Sequence, residues 1–255
     1  MVGGPAPYYE RMDSPIPSRA VILAAGDGGR LYGRTQALAK PLLPVNGRPI
    51  INYTLDALVL AGVEDVAVVT GYREAQLRAA LAEGHQGLAI TFVSNPRFED
   101  GASLSLAAAK DFCGDEAFLL LMADHVLSGV LVRELARAYA ADPANCYVAA
   151  DALLRDPGFT EEATKLALAD DGSRRVTAIG KRVPGWQTLD AGAFALTPDV
   201  WAAAAAVPAD CELSLIMAEL ARRRLLYAAD VTGAPWYDID TEDDLVAADA
   251  MLGTL

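Results

Sequence analysis

The sequence predicts an α/β protein: a mixed, mostly parallel sheet with helices on both faces, extended late in the chain by a small β-hairpin. Three observations carry that expectation. Continuous apolar runs at 20–25, 66–69 and 117–122 read as strands buried on both faces. Segments with apolar residues at helical spacing alternate with them, as in βαβ units. In the second half, Asp170-Asp171-Gly172-Ser173 supplies turn residues between two short runs, Thr164 to Ala169 and Val176 to Lys181.

Taken in order, the first strand, Ala20 to Ala25, opens directly into glycines. Ile50 to Ala61 has helical spacing and stops at Gly62. Val66 to Val69 is the second strand, closed by Thr70-Gly71. A helix from Glu74 to Ala82 and a strand from Ala89 to Val93 follow, and Ser94-Asn95-Pro96 breaks that strand. Ser103 to Asp111 reads as a helix and Ala117 to Met122 as another buried strand. After the hairpin come a strand from Leu189 to Thr197, an alanine-rich helix opened by Pro198, and helices over 212–223 and 242–251. There is no internal repeat and no proline-rich linker. Residues 1–18, with Gly3, Gly4, Pro5, Pro7, Pro15 and Pro17, read as a flexible tail, and 19–255 as a single domain.

A length of 255 residues allows one large domain, and the formal net charge of −13 argues against nucleic acid or an anionic membrane surface as the main partner. The few cations of such a chain are expected where anions are handled. Cys113, Cys146 and Cys211 are odd in number and widely spaced, so neither a disulfide framework nor a zinc site is expected. That usage suits a reducing cytosol, hence a cytoplasmic location. No apolar run reaches the length of a membrane span, and the first residues lack the apolar core of a signal peptide.

The most informative stretch is Leu23-Ala24-Ala25-Gly26-Asp27-Gly28-Gly29-Arg30, followed by Lys40-Pro41. Glycines after a strand let backbone N–H groups curl towards an anion, and Arg30 and Lys40 add the charge that a polyphosphate needs. A dinucleotide fingerprint fails, because its third glycine would fall at Leu31; a P-loop fails for want of Gly-Lys-Ser/Thr. A plain strand-to-helix turn is the alternative. Asp124 lies just past an apolar strand, where ligands of open α/β sheets bind; alone, it is equally a cap or loop residue. Asp238 and Asp240 alternate in an extended segment and so share a face, and with Asp124 they are candidates for one Mg²⁺. Capping of the last helix is the competing role for Asp240. Lys165 and Lys181 lie on predicted strands, where a lysine is usually a solvated edge residue. His125 beside Asp124 reads as a packed or hydrogen-bonded histidine, with substrate contact as the alternative. Trp186 suits stacking on a base or cationic ligand, or plain packing.

Together these motifs resemble the sugar-phosphate nucleotidyltransferase superfamily, with its Leu-Ala-Ala-Gly-x-Gly-x-Arg loop, Lys-Pro-Leu segment and two distant metal acids, here Leu23 to Arg30, Lys40-Pro41-Leu42, Asp124 and Asp238. Met122-Ala123-Asp124-His125-Val126, Glu162-Ala163-Thr164-Lys165, Ile179-Gly180-Lys181, Asp190-Ala191-Gly192-Ala193-Phe194 and Asp238-Ile239-Asp240-Thr241 are most similar to the inositol-1-phosphate cytidylyltransferases, which form CDP-inositol. The resemblance implies a Rossmann-like fold of the nucleotide-diphospho-sugar transferase type. It also implies in-line attack of an acceptor phosphate on the α-phosphorus of CTP with loss of pyrophosphate. By that analogy the 26–30 loop, with Arg30, grips the β- and γ-phosphates, the stretch from Leu23 to Gly29 binds the nucleotide, and Lys40 bridges the reacting phosphates. Asp124 and Asp238, with Asp240 as a further candidate, hold Mg²⁺. Lys165 and Lys181 bind the acceptor phosphate, and Gly71, Asn95 and Gly101-Ala102-Ser103 contact base or ribose. A polyol acceptor needs polar groups such as Glu162, Gln187 and Asp190. Phosphocholine or an aminoalkylphosphonate instead needs aromatic faces, for which Trp186 and Tyr237 are the candidates. Another base with a sugar 1-phosphate, or a catalytically silent nucleotide-binding relative, are the further alternatives. The expected partners are thus CTP and a small phosphorylated acceptor, with no nucleic acid and no membrane insertion; a homodimer is left open.

Overall fold

The computed structural model describes residues 16–153 and 156–253. The expected tail over 1–18 therefore lies outside the described residues save for its last three. In chain order the strands are β1 (Arg19–Ala24), β2 (Pro44–Val45), β3 (Arg48–Pro49), β4 (Asp65–Thr70), β5 (Ala89–Ser94), β6 (Phe118–Met122), β7 (His125–Leu127), β8 (Cys146–Asp151), β9 (Lys165–Leu168), β10 (Val176–Gly180), β11 (Thr188–Leu196), β12 (Leu226–Asp230) and β13 (Trp236–Asp238). The helices are α1 (Tyr32–Thr35), α2 (Ile50–Ala61), α3 (Glu74–Ala80), α4 (Ala102–Ala108), α5 (Lys110–Cys113), α6 (Gly129–Ala141), α7 (Pro157–Glu162), α8 (Asp199–Ala204), α9 (Leu213–Arg222) and α10 (Glu242–Leu252).

β1 lies between β4 and β6 and is parallel to both, and β5 extends the sheet parallel to β4. Beyond β6 the sheet turns antiparallel through β11, β9 and β10, while β8 and β12 branch from β11. Alternation along β1 explains why its run is continuously apolar. Ala20, Ile22 and Ala24 enter one buried cluster with Leu55 and Leu58 of α2 and Leu131 of α6. Val21 and Leu23 enter the other, with Leu106 of α4 and Ile216 of α9.

Most expected elements form within a residue or two of their expected ends. α2 stops at Gly62, whose φ of 83° closes the helix in the left-handed conformation that glycine adopts without strain. The helix expected over 103–111 is instead two, α4 and α5, which meet at Ala109. α6, α7, β8 and β12, with the short elements α1, β2, β3 and β7, are additions to the expected list. No helix among the described residues is long and apolar enough to cross a membrane. The three cysteines are free and buried.

β11 joins the parallel half of the sheet to the antiparallel half. Ala193–Leu196 pair with β6, Thr188 and Leu189 pair with β9, and the register against β8 shifts between Asp190 and Phe194. Within that irregularity Gly192 has a φ of 74° and donates its N–H to Asp190 Oδ1 at 2.8 Å. A third cluster, containing Leu31, Val45, Ile50, Ile239 and Leu245, fixes α10 and the end of β13 beside the loop after β1.

Candidate active site

The ends of β6, β7, β11 and β13 border one cavity of about 1000 Å³. Backbone pairing brings Asp124 and Asp238 to it. β7 and β13 pair antiparallel with His125 opposite Asp238, and the Ile239 N–H donates to the Asp124 carbonyl at 3.0 Å. Ile239 is fully buried, so alternation turns Asp238 and Asp240 the other way, onto the cavity.

His125 Nδ1 lies 2.8 Å from Asp124 Oδ1 and 3.6 Å from Asp238 Oδ1. The imidazole is nearly parallel to the Trp236 indole, with centroids 6.1 Å apart, and Trp236 Nε1 donates to the buried Asp151 at 2.8 Å. Burial alone would lower the pKa of His125, yet Asp238, the bond to Asp124 and the Asp190 charge raise it to about 9. Burial opposes ionisation of Asp124 as well, but Lys40 and His125 hold its carboxyl well below the usual carboxylate range. For Asp238, burial wins. His125 opposes it, Asp124 and Asp240 add to it, and the carboxyl is pushed up to about 6. Asp190 rises to about 6 through burial, against the Gly192 N–H bond.

Asp238 Oδ1 is buried and has no hydrogen-bond partner among the described residues. Asp124, His125 and Asp238 each present one ligand atom, all within 4.8 Å of one another. Two carboxylates, one of them unsatisfied and reluctant to ionise, beside space for phosphate oxygens and water, fit a hard divalent cation such as Mg²⁺. Asp240 lies outside that group.

Asp240 instead meets the cations. Lys40, buried in a short 3₁₀ turn with Pro41 and Leu42, donates to Asp124 Oδ2 at 3.0 Å and Asp240 Oδ1 at 2.8 Å. Burial works against its charge, but these carboxylates raise its pKa above the ordinary lysine value. Arg30 pairs with Asp240 and, at 3.1 Å, with Glu162 of α7. In the glycine loop, Leu23 and Ala24 end β1 and Ala25 is buried just beyond it. Asp27 Oδ1 accepts the Gly29 N–H at 3.2 Å, and Gly26 has open space where a side chain would start. Gly28 has a φ of 68°, and a Cβ there would crowd Thr35 and the Lys40 stem at 2.9 and 3.1 Å. From this loop, Arg30 reaches the cavity wall.

Asp190, Glu162 and Lys181 also line the cavity. Lys181 Nζ donates to the Glu162 carbonyl. Lys165 is buried and donates to the Glu161 and Ala163 carbonyls at 3.0 and 2.9 Å, so its ammonium is engaged at the end of α7; burial and Lys181 lower its pKa. Trp186 packs on the larger apolar core. Of the residues expected at base or ribose, Ala102 lines the cavity. Asn95 is buried and donates to Ser105 Oγ at 3.0 Å. Ser103 donates to the Ala209 carbonyl and accepts the Cys211 N–H. Gly101 abuts the Cys211 backbone, and Gly71 abuts the Phe98 ring.

The structure adds lining residues that sequence reasoning missed: Phe159, Trp236, Gly192, Glu212, Ser214 and Asp244. Only Gly192 carried a sequence signal, as a glycine two residues after an acid within a strand. Phe159 lies against both Trp236 and Tyr237, with centroids 5.5 and 5.1 Å apart.

Known proteins agree with this architecture. A family model described as "MobA-like NTP transferase domain" matches residues 20–225. A "Bifunctional IPC transferase and DIPP synthase" of Thermococcus kodakarensis is 33% identical over 239 residues, 93% of this chain and 51% of the relative, so the chain spans about half of that protein's length. A "CMP-5'-(3-aminopropyl)phosphonate synthase" of Streptomyces rubellomurinus is 37% identical over 124 residues, 48% of this chain and 20% of that protein. The solved structure of the inositol-1-phosphate CTP transferase from T. maritima superposes with a TM-score of 0.80 at 22% identity, covering 94% of this chain and 96% of that one, which shows a common fold. With a family model spanning most of its length and a cavity that collects cations and acids at the strand ends, the chain belongs to the MobA-like NTP transferase domain family.

Proposed function

We propose that this chain is a Mg²⁺-dependent cytidylyltransferase that joins CTP to inositol 1-phosphate, giving CDP-inositol and pyrophosphate. One observation carries the reading: Arg30, Asp124 and Asp238 line a single cavity together with Asp190 and Lys181, and buried Lys40 donates to Asp124 at 3.0 Å. The resemblance to IPC transferases over almost the whole chain supports the acceptor.

In the reaction an oxygen of the acceptor phosphate attacks the α-phosphorus in line. The new P–O bond forms as the bond to the bridging oxygen breaks, and pyrophosphate leaves with the electron pair. A phosphate monoester is already ionised at neutral pH, so no general base is needed, and catalysis reduces to positioning and charge neutralisation. Arg30 and Lys40 grip the triphosphate as paired donors. Lys181 receives the acceptor phosphate, and Lys165 fixes the end of α7 beside it. Asp190, which keeps an oxygen beyond its Gly192 bond, accepts from polyol hydroxyls. Backbone groups around Gly71, Asn95 and Gly101 serve the base and ribose. Asp124 and Asp238 would hold Mg²⁺, which when bound neutralises charge on the phosphate oxygens.

A second reading is favoured by the aromatic group Phe159, Trp236 and Tyr237 beside several carboxylates, surroundings that suit a cationic acceptor such as an aminoalkylphosphonate or phosphocholine. The deciding experiment incubates the protein and Mg²⁺ with each nucleoside triphosphate and a panel of phosphomonoesters and phosphonates, following pyrophosphate. Release with CTP and inositol 1-phosphate is expected; release only with an amine-bearing acceptor establishes the second reading.

A further inference from the structure

Asp240 is the anion on which both phosphate-facing cations converge. Its Oδ1 accepts from Lys40 at 2.8 Å and its Oδ2 accepts from Arg30, so each carboxylate oxygen serves one cation. The carboxylate is anchored from behind. The backbone N–H groups of Asp240 and Thr241 donate to Asp244 Oδ2 at 3.0 and 2.8 Å, and Thr241 closes a reciprocal capping box with Asp244 at the start of α10. Thr241 and Asp244 thus do the capping between them, which leaves the Asp240 side chain to the cations. Ile239, buried in the cluster beneath α10, fixes the same segment. Asp240 also falls outside the group of ligand atoms formed by Asp124, His125 and Asp238.

We propose, on the reading that this cavity binds a nucleoside triphosphate, that Asp240 is a positioning residue: it sets Arg30 and Lys40 at the spacing a triphosphate bridges, and is not a metal ligand. Arg30 is half-exposed and rotamer-rich; tethered to Asp240, it loses that freedom before the nucleotide arrives. Each cation gives Asp240 only part of its donor set, so phosphate oxygens can be bound with the tether in place. Lys40, shared between Asp124 and Asp240, links the phosphate grip to the metal acids.

The test is calorimetric binding of Mn²⁺ alone, and of a non-hydrolysable CTP analogue, to the full chain and its variants. Asp240→Asn keeps shape and removes charge, and is expected to weaken the analogue about tenfold, because the freed Arg30 side chain must then be ordered on binding. Its Mn²⁺ affinity stays within about twofold of the parent, whereas Asp238→Asn loses about tenfold or more. Asp240→Glu keeps the charge but lengthens the arm, and is expected to weaken the analogue without changing Mn²⁺. In an Arg30→Gln background the Asp240→Asn penalty shrinks, because the two residues act as one unit. The proposal is overturned by Mn²⁺ loss in Asp240→Asn equal to that in Asp238→Asn, by unchanged analogue affinity, or by an undiminished penalty in Arg30→Gln. If the parent protein binds Mn²⁺ but no nucleoside triphosphate, the nucleotide reading itself fails and this role falls with it.

Discussion

Gly192 lies directly against the imidazole of His125: a Cβ at position 192 would sit 2.4 Å from Cδ2 and 2.5 Å from Nε2. The irregularity in β11 that carries Asp190, and the ring that bridges Asp124 and Asp238, therefore share one volume. A left-handed φ and a contact too close for any side chain both demand glycine here.

Gly192→Ala is accordingly expected to destabilise the fold by about 2–4 kcal/mol, from backbone strain together with overpacking. Urea unfolding midpoints measure this. Since the only relief is to displace His125, Mg²⁺-dependent turnover is expected to fall as well, even at temperatures where the variant is folded.

Asp238→Asn is expected to separate stability from activity. A carboxyl raised from 3.8 to about 6 contributes stability that is complete below 3.8 and lost as pH rises to 6, so at neutral pH its charge is carried at a cost. The amide removes that cost. Thermal unfolding in EDTA at pH 7.5 should show a gain of about 1–2 kcal/mol, or several degrees. Pyrophosphate release with Mg²⁺ should fall about 100-fold or more. A variant less stable than the parent would contradict the electrostatic account.

His125 follows the same direction with pH, but here it is the charged form that the fold favours near neutrality. Its pKa is raised from 6.5 to about 9, so the stability it contributes is complete below 6.5 and is lost as pH rises to 9. The metal-free protein should lose thermal stability across that window, and His125→Asn should flatten the slope. An equally steep decline in the variant would assign the effect elsewhere.

The two lysines near α7 should behave differently. Lys181→Met is expected to raise the KM for the acceptor with little effect on stability. Lys165→Met leaves two carbonyls at the end of α7 without their donor, and should cost about 1–3 kcal/mol in unfolding free energy. Equal effects of the two variants on acceptor KM, with no stability difference, would place both lysines at the phosphate.

The parallel half of the sheet was legible because β1, β4 and β6 are buried on both faces and so are apolar without interruption. Asp124 was legible because it follows such a strand directly. β8 and β12 were harder, because Cys, Tyr and Ala fill much of them in place of the Val, Ile and Leu that mark a buried strand, and each ends in an aspartate. α6 was missed despite a usable signal: Ser128 caps it by accepting the Leu131 N–H, and Leu131, Leu135 and Tyr139 repeat at helical spacing. At the site, the unreadable part is pairing across the chain. Arg30 meets Glu162 and Asp240 only after folding, and nothing local marks Lys165 as a donor to carbonyls. The aromatic wall was likewise hidden, because Phe159 and Trp236 come from separate elements that join only at the cavity.

The division of β11 between β6 and β9 has an evolutionary consequence. Arg30 and Lys40 come from the first 45 residues, whereas Phe159, Glu162, Lys181 and Asp190 all come from a contiguous stretch between 157 and 190. On the proposed reading, a lineage can alter that stretch, so long as Glu162 keeps its pair with Arg30, and change the acceptor while inheriting the nucleotide grip.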